Sequence, residues 1–133
     1  MSQSEPTPAE SSDKETSVEI ADGIASIIIN RPHARNAISL ITMSELELAL
    51  TKVSQSDVRV LVIRGAGDRA FISGGDLKEL SAIRDQQGAV AMATTMRRLL
   101  DRFADFELPV IAAVNGHALG GGAEVAVAAD IRI

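Results

Sequence analysis

The apolar positions of the chain change period from segment to segment, and those changes predict its elements. Ser17–Ala21 and Ile24–Asn30 are short apolar-rich runs joined at Asp22-Gly23, a strong two-residue turn signal, and predict a β-hairpin. Pro32 ends the second run, so 31–36 is a loop. From Ser39 to Val53 the period becomes helical, with Leu40, Met43, Leu46, Leu50 and Val53 on one face. Val58–Arg64 is dominated by Val, Leu and Ile, as expected of a strand covered on both faces. A long loop, Gly65–Gly75, follows, and Asp76 opens a short helical segment. After Gly88 a longer helix runs to about Glu107, carrying Val90, Met96, Leu99, Leu100 and Phe103. Val110–Val114 is a continuous apolar strand, then a glycine-rich turn leads into a small-residue helix opening at Gly121 or Gly122. Ile131–Ile133 begins another strand. The order β-β-α-β-α-α-β-α-β predicts an α/β layout with mostly parallel, covered strands. A strand start with neither turn nor closing helix after it is expected of part of a domain.

Composition narrows this picture. A length of 133 residues is about one domain. Residues 1–16 are mainly Ser, Thr, Glu and Pro, and predict a disordered acidic tail ahead of a folded part over 17–133. Hydrophobic residues make up 46% but aromatics only 2%, so the core must be built from Ile, Val, Leu and Ala. The net charge of −5 and the lack of a basic stripe argue against a nucleic-acid partner. With no cysteine, disulfides and thiolate chemistry are excluded. No apolar run approaches membrane-spanning length, and the N-terminus has neither signal nor transit pattern, so the expectation is a cytoplasmic protein with no membrane contact.

The candidate chemistry lies in two glycine-rich strand-to-helix turns, Ser73-Gly74-Gly75-Asp76 and Gly120-Gly121-Gly122. Three glycines in a row sacrifice backbone entropy, and the available reason is close approach of bare N–H groups at a helix N-terminus to something electron-rich. Glu124 stands on the first turn of that helix. Singly, Glu124 and Asp76 are explained by the helix dipole and by capping. If the strands leading into the two turns are neighbours, each turn can offer one N–H to the same oxygen, which is what enolate or tetrahedral chemistry needs. Other motifs fail on context. Gly65-Ala66-Gly67-Asp68-Arg69-Ala70 matches a dinucleotide fingerprint, but no helix opens inside it. Gly116–Gly121 has P-loop spacing with Ala123 and Glu124 where Lys and Ser/Thr belong. His33 and His117 lack a carboxylate spaced to make a metal pair, so no metal is expected.

Three stretches together resemble the enoyl-CoA hydratase/isomerase (crotonase) superfamily. They are Asn30-Arg31-Pro32 through Asn36-Ala37, Ala70–Leu77, and Pro109–Asp130 with Asn115-Gly116 and Gly120-Gly121-Gly122. The resemblance covers about residues 17–133 and implies a crotonase-like spiral of β-β-α units, of which this chain is the N-terminal half. It implies oxyanion-hole amides at Gly75 and Gly121 on a thioester carbonyl, and Glu124 as one of two catalytic glutamates of hydratases. It further implies CoA-binding backbone and side chains at His33, Ala34, Arg35, Ser73, Gly74, Asp76, Leu77 and Lys78. The implied reaction is hydration of trans-2-enoyl-CoA thioesters to 3-hydroxyacyl-CoA, as in fatty-acid β-oxidation. CoA then enters as part of the substrate, with no separate cofactor. The alternatives are a sister acyl-CoA reaction (isomerase, decarboxylase or thioester hydrolase) and a non-catalytic fragment. Homo-trimers or hexamers are the implied assembly.

Overall fold

A computed structural model describes residues 14–133, so most of the tail expected over residues 1–16 lies outside the described residues. In chain order the strands are β1 (Thr16–Ala21), β2 (Ile24–Ile29), β3 (Val60–Gly65), β4 (Ala70–Ile72), β5 (Val110–Ala112), β6 (His117–Ala118) and β7 (Ile131–Arg132). The helices are α1 (Leu40–Ser54), α2 (Leu77–Ser81), α3 (Gln86–Ala104) and α4 (Gly121–Ala128), with a 3-10 turn at Pro32–Ala34.

β1 and β2 pair antiparallel, and Asp22 and Gly23 both take positive φ (55° and 79°), as a two-residue hairpin turn demands. β2, β3, β5 and β7 then pair in parallel, giving the sheet order β1-β2-β3-β5-β7. α1 starts where the sequence places it: Ser39 Oγ accepts from the Thr42 N–H at 3.0 Å while Thr42 Oγ1 accepts from the Ser39 N–H at 3.1 Å. The core gathers Ala25, Ile27 and Ile29 of β2, Leu61 and Ile63 of β3, Leu46, Leu50 and Val53 of α1, and Leu99 and Phe103 of α3. Each fully buried Leu or Ile contributes about 1.5–3 kcal/mol. No helix among the described residues is long and apolar enough to cross a membrane.

Several expectations are corrected. β3 is not covered on both faces: Leu61 and Ile63 are buried, while Val60 and Val62 are half-buried and stand outside the core cluster. The loop expected over Gly65–Gly75 contains β4, and the glycine-rich turn contains β6; the two strands form a small parallel sheet of their own, Ala70 opposite His117 and Ile72 opposite Ala118. α3 begins at Gln86 rather than after Gly88, because Asp85 Oδ1 accepts from the Gly88 N–H at 2.8 Å and caps the helix three residues earlier. It ends at Ala104, so the helix is shifted toward the N-terminus at its expected length, while β3 begins at Val60 and β5 ends at Ala112, each a shorter strand than the apolar run suggests. Structure begins before residue 17: Glu45 Oε1 accepts from the N–H groups of Glu15 and Thr16 at 2.9 and 2.8 Å.

Candidate active site

β4 and β6 run parallel side by side, so their C-terminal ends deliver both glycine turns to one place. Gly74 (φ 134°) and Gly120 (φ 52°) adopt backbone that L side chains rarely take, and a Cβ on Gly120 would lie 3.8 Å from Gly74 Cα. Gly122 has a different reason to be glycine: a Cβ there would overlap the carbonyl oxygen of Ile72 at the end of β4. The helix therefore starts against the neighbouring strand with no atom to spare.

The direction of two N–H groups follows from peptide planarity. In a trans peptide the N–H points opposite to the C=O of the preceding residue. The Gly74 carbonyl accepts from the Ile38 N–H at 2.8 Å, which turns the Gly75 N–H away from Ile38. The Gly120 carbonyl accepts from the Glu124 N–H at 3.0 Å, which turns the Gly121 N–H out of the N-terminus of α4. Neither N–H donates to a partner among the described residues. Apolar side chains flank both glycines. Leu80 Cδ1 lies 3.2 Å from the position of a Gly75 Cβ, and Met96 Cε lies 3.3 Å from that of a Gly121 Cβ. Two free donors beside apolar walls make an electrostatic site of the kind that stabilises a developing oxyanion.

Glu124 is exposed on the first turn of α4, three residues beyond Gly121, and its carboxylate makes no hydrogen bond or ion pair among the described residues. The loop of His33, Ala34 and Arg35 is carried to the first glycine turn by two contacts. Ser73 N–H donates to the Arg35 carbonyl at 3.2 Å, and Ser73 Oγ to the Ala34 carbonyl at 3.3 Å. His33 and Arg35 are exposed on that rim, as are Leu77 and Lys78 on α2. Asp76 is the exception among the expected CoA contacts. Its carboxylate turns inward, accepting from Arg31 Nη2 at 3.0 Å and from the Glu79 N–H at 3.1 Å, so it is committed within the protein. That Glu79 N–H, followed by the Arg31 hydrogen bond, holds the Asp76 carboxyl below its ordinary pKa.

The residues that the sequence reading left without a role are the tethers. Asn36 Nδ2 donates to the Ala66 and Ala70 carbonyls at 3.0 and 2.9 Å, and its Oδ1 accepts from the Arg31 N–H. Asn115 bonds both the N–H and the C=O of Gly65, at 3.0 and 2.9 Å, pinning the end of β3 to the approach of β6. Arg31 is buried and reaches three partners, Ala37, Asp76 and Glu15. Their only sequence signal is their place inside the stretches that carry the resemblance.

Comparison with known proteins shows which family the chain resembles. Residues 19–133 match the family model described as Enoyl-CoA hydratase/isomerase. The mitochondrial enoyl-CoA hydratase domain-containing protein 2 of Mus musculus is 44% identical over 115 residues, which are 84% of this chain and 38% of that protein. The short-chain-enoyl-CoA hydratase of Clostridium acetobutylicum is 37% identical over 111 residues, 83% of this chain and 42% of that one. The crystal structure of an enoyl-CoA hydratase from Bacillus anthracis superposes with a TM-score of 0.85 at 36% identity, over 90% of this chain and 46% of that chain. The chain thus spans about two-fifths of the length of these curated relatives, and its sheets and helices are part of a crotonase fold. With the match running over nearly all of its described residues, the chain belongs to the enoyl-CoA hydratase/isomerase family.

Proposed function

We propose that this chain supplies the carbonyl-binding part of an enoyl-CoA hydratase. The observation that carries the proposal is the β4–β6 pair, which sets the Gly75 and Gly121 N–H groups free at adjacent turns while their peptide carbonyls are tied elsewhere. A thioester carbonyl oxygen accepts both N–H groups. Water attacks C3 of the 2-enoyl group, and the C2–C3 π pair moves onto the thioester to give an enolate-like oxygen between the two donors. C2 then takes a proton as the carbonyl re-forms, so the net change is addition of one water. Glu124 handles one of that water's protons. Removing one such donor costs about 10²–10³ in kcat in comparable sites. The rim formed by exposed His33, Arg35, Leu77 and Lys78 and half-buried Ala34, Ser73 and Gly74 receives the CoA part of the substrate. Short-chain-enoyl-CoA and crotonyl-CoA hydratases among the relatives support this substrate class.

The test is hydration of a short trans-2-enoyl-CoA by the longest product of this reading frame, followed as loss of the conjugated thioester absorbance. Turnover that disappears in Glu124→Gln, with thioester binding kept, supports the proposal. Undiminished turnover in Glu124→Gln would remove Glu124 from the mechanism, and a rearranged or hydrolysed product would move the reaction to a sister activity.

A further inference from the structure

The geometry points to Arg31 as the residue that sets the direction of the Gly75 N–H, through a clamp that it forms with Asp76. This inference rests on the oxyanion role given to Gly75 above.

The Gly74–Gly75 peptide is held from the Ile38 side by a two-bond bridge: Ile38 N–H to the Gly74 carbonyl at 2.8 Å, and Asp76 N–H to the Ile38 carbonyl at 2.9 Å. Both rails of this bridge are short and irregular, a single residue pair outside any named strand. Nothing in regular sheet pairing supports it. Arg31 spans it from behind. Its Nη1 donates to the Ala37 carbonyl at 2.7 Å, one residue before Ile38, and its Nη2 to Asp76 Oδ2 at 3.0 Å, one residue after Gly75. One planar guanidinium therefore fixes the separation of the two segments that define the peptide plane. Its fork geometry suits this, whereas a lysine would reach one partner at a time.

Each end of the clamp is itself anchored. Asp76 caps α2 through the Glu79 N–H at 3.1 Å. The Arg31 N–H donates to Asn36 Oδ1 at 2.9 Å, and the Arg31 carbonyl accepts from the N–H groups of Ala34 and Asn36. Arg31 Nε faces Glu15 Oε2 at 3.2 Å, an ion pair without hydrogen-bond geometry. The guanidinium lies beneath the glycine turn and is buried, so it acts on the donor through the backbone and is a positioning residue. A displacement of about 1 Å in such a site lowers rate by about a hundredfold.

The experiment compares Arg31→Gln, Asp76→Asn and the double variant in the longest product of the reading frame. It reads kcat and KM for a short enoyl-CoA, the folded fraction, and amide hydrogen exchange at Ile38 and Asp76. The expected result is a kcat lower by about ten- to a hundredfold with KM nearly unchanged, no further loss in the double variant, and faster exchange at both amides. Asp76→Asn keeps the shape of the side chain, so it stays folded if Arg31→Gln does not. Native kcat per folded molecule in the variants, or unchanged exchange at Ile38 and Asp76, would overturn the clamp. If the native protein shows no hydration, the hydratase reading fails by itself, and the exchange measurement still decides whether Arg31 holds the peptide.

Discussion

At the scale of single residues, two glycines of the site are glycine for opposite reasons, and substitution separates them. Gly122 has no space: its Cβ would overlap the Ile72 carbonyl, a backbone atom that cannot move without breaking β4 from β6. Gly122→Ala is expected to destabilise the fold by about 1–3 kcal/mol or more, seen as a lower urea midpoint. Gly75 faces only the flexible end of Leu80 at 3.2 Å and does not have positive φ. Gly75→Ala should change stability by less than about 1 kcal/mol in the same measurement. The ion cluster of buried Arg31 with half-buried Glu15 and Asp76 makes a second prediction. Burial by itself raises the pKa of Glu15, but the hydroxyls of Ser39 and Thr42 and the charge of Arg31 outweigh it, so its carboxyl titrates below the ordinary value, as Asp76 does. A carboxyl with a depressed folded pKa adds stability above its unfolded pKa and loses it as pH falls through the folded one. The urea midpoint should therefore be insensitive to these groups from neutrality to about pH 4.5, the ordinary glutamate value, and fall below it. The acid limb should be shallower in Asp76→Asn.

At the scale of elements, legibility followed local chemistry. The hairpin at Asp22-Gly23, the Ser39 cap and the Asp76 cap are each written within a few residues, and each forms where its residues dictate. β4 and β6 were not legible because strands of three and two residues carry no period, and they exist only through each other across some 45 positions. Gly88 reads as a boundary in the sequence, yet it lies in the first turn of α3, where a glycine costs little once the Asp85 side-chain oxygen takes its N–H. The turns of the candidate site were legible as glycine patterns. The ties of Arg31, Asn36 and Asn115 were not, since each is a long-range side-chain bond, to the Asp76 carboxylate for Arg31 and to backbone for the two asparagines. Those ties make the prediction at this scale. Asn115→Ala leaves the N–H and C=O of Gly65 without their partners, and should lower stability by about 1–3 kcal/mol in denaturant unfolding.

At the scale of the whole chain, the sheet ends at β7 on one side, where Ile131, Ile133 and the nearby Val127 are 49, 76 and 73% exposed. An edge strand beside apolar surface is a template for pairing. The 133-residue chain expressed by itself should sediment above the monomer at micromolar concentration, and Ile131→Lys should raise the monomer fraction. The bonded carbonyls of Gly74 and Gly120 have a different consequence. Every residue type except proline carries a backbone N–H, so no ordinary replacement at positions 75 or 121 deletes a donor. Mutational pressure on the chemistry therefore falls on the neighbours that hold the peptide planes. A saturation scan scored by turnover would be quieter at the donors than at Arg31, Asp76 and Asn36, which act through their side chains. Proline at 121 is the informative exception: it is the first residue of α4, a position where that ring is at home, so Gly121→Pro would erase one donor and leave its helix standing.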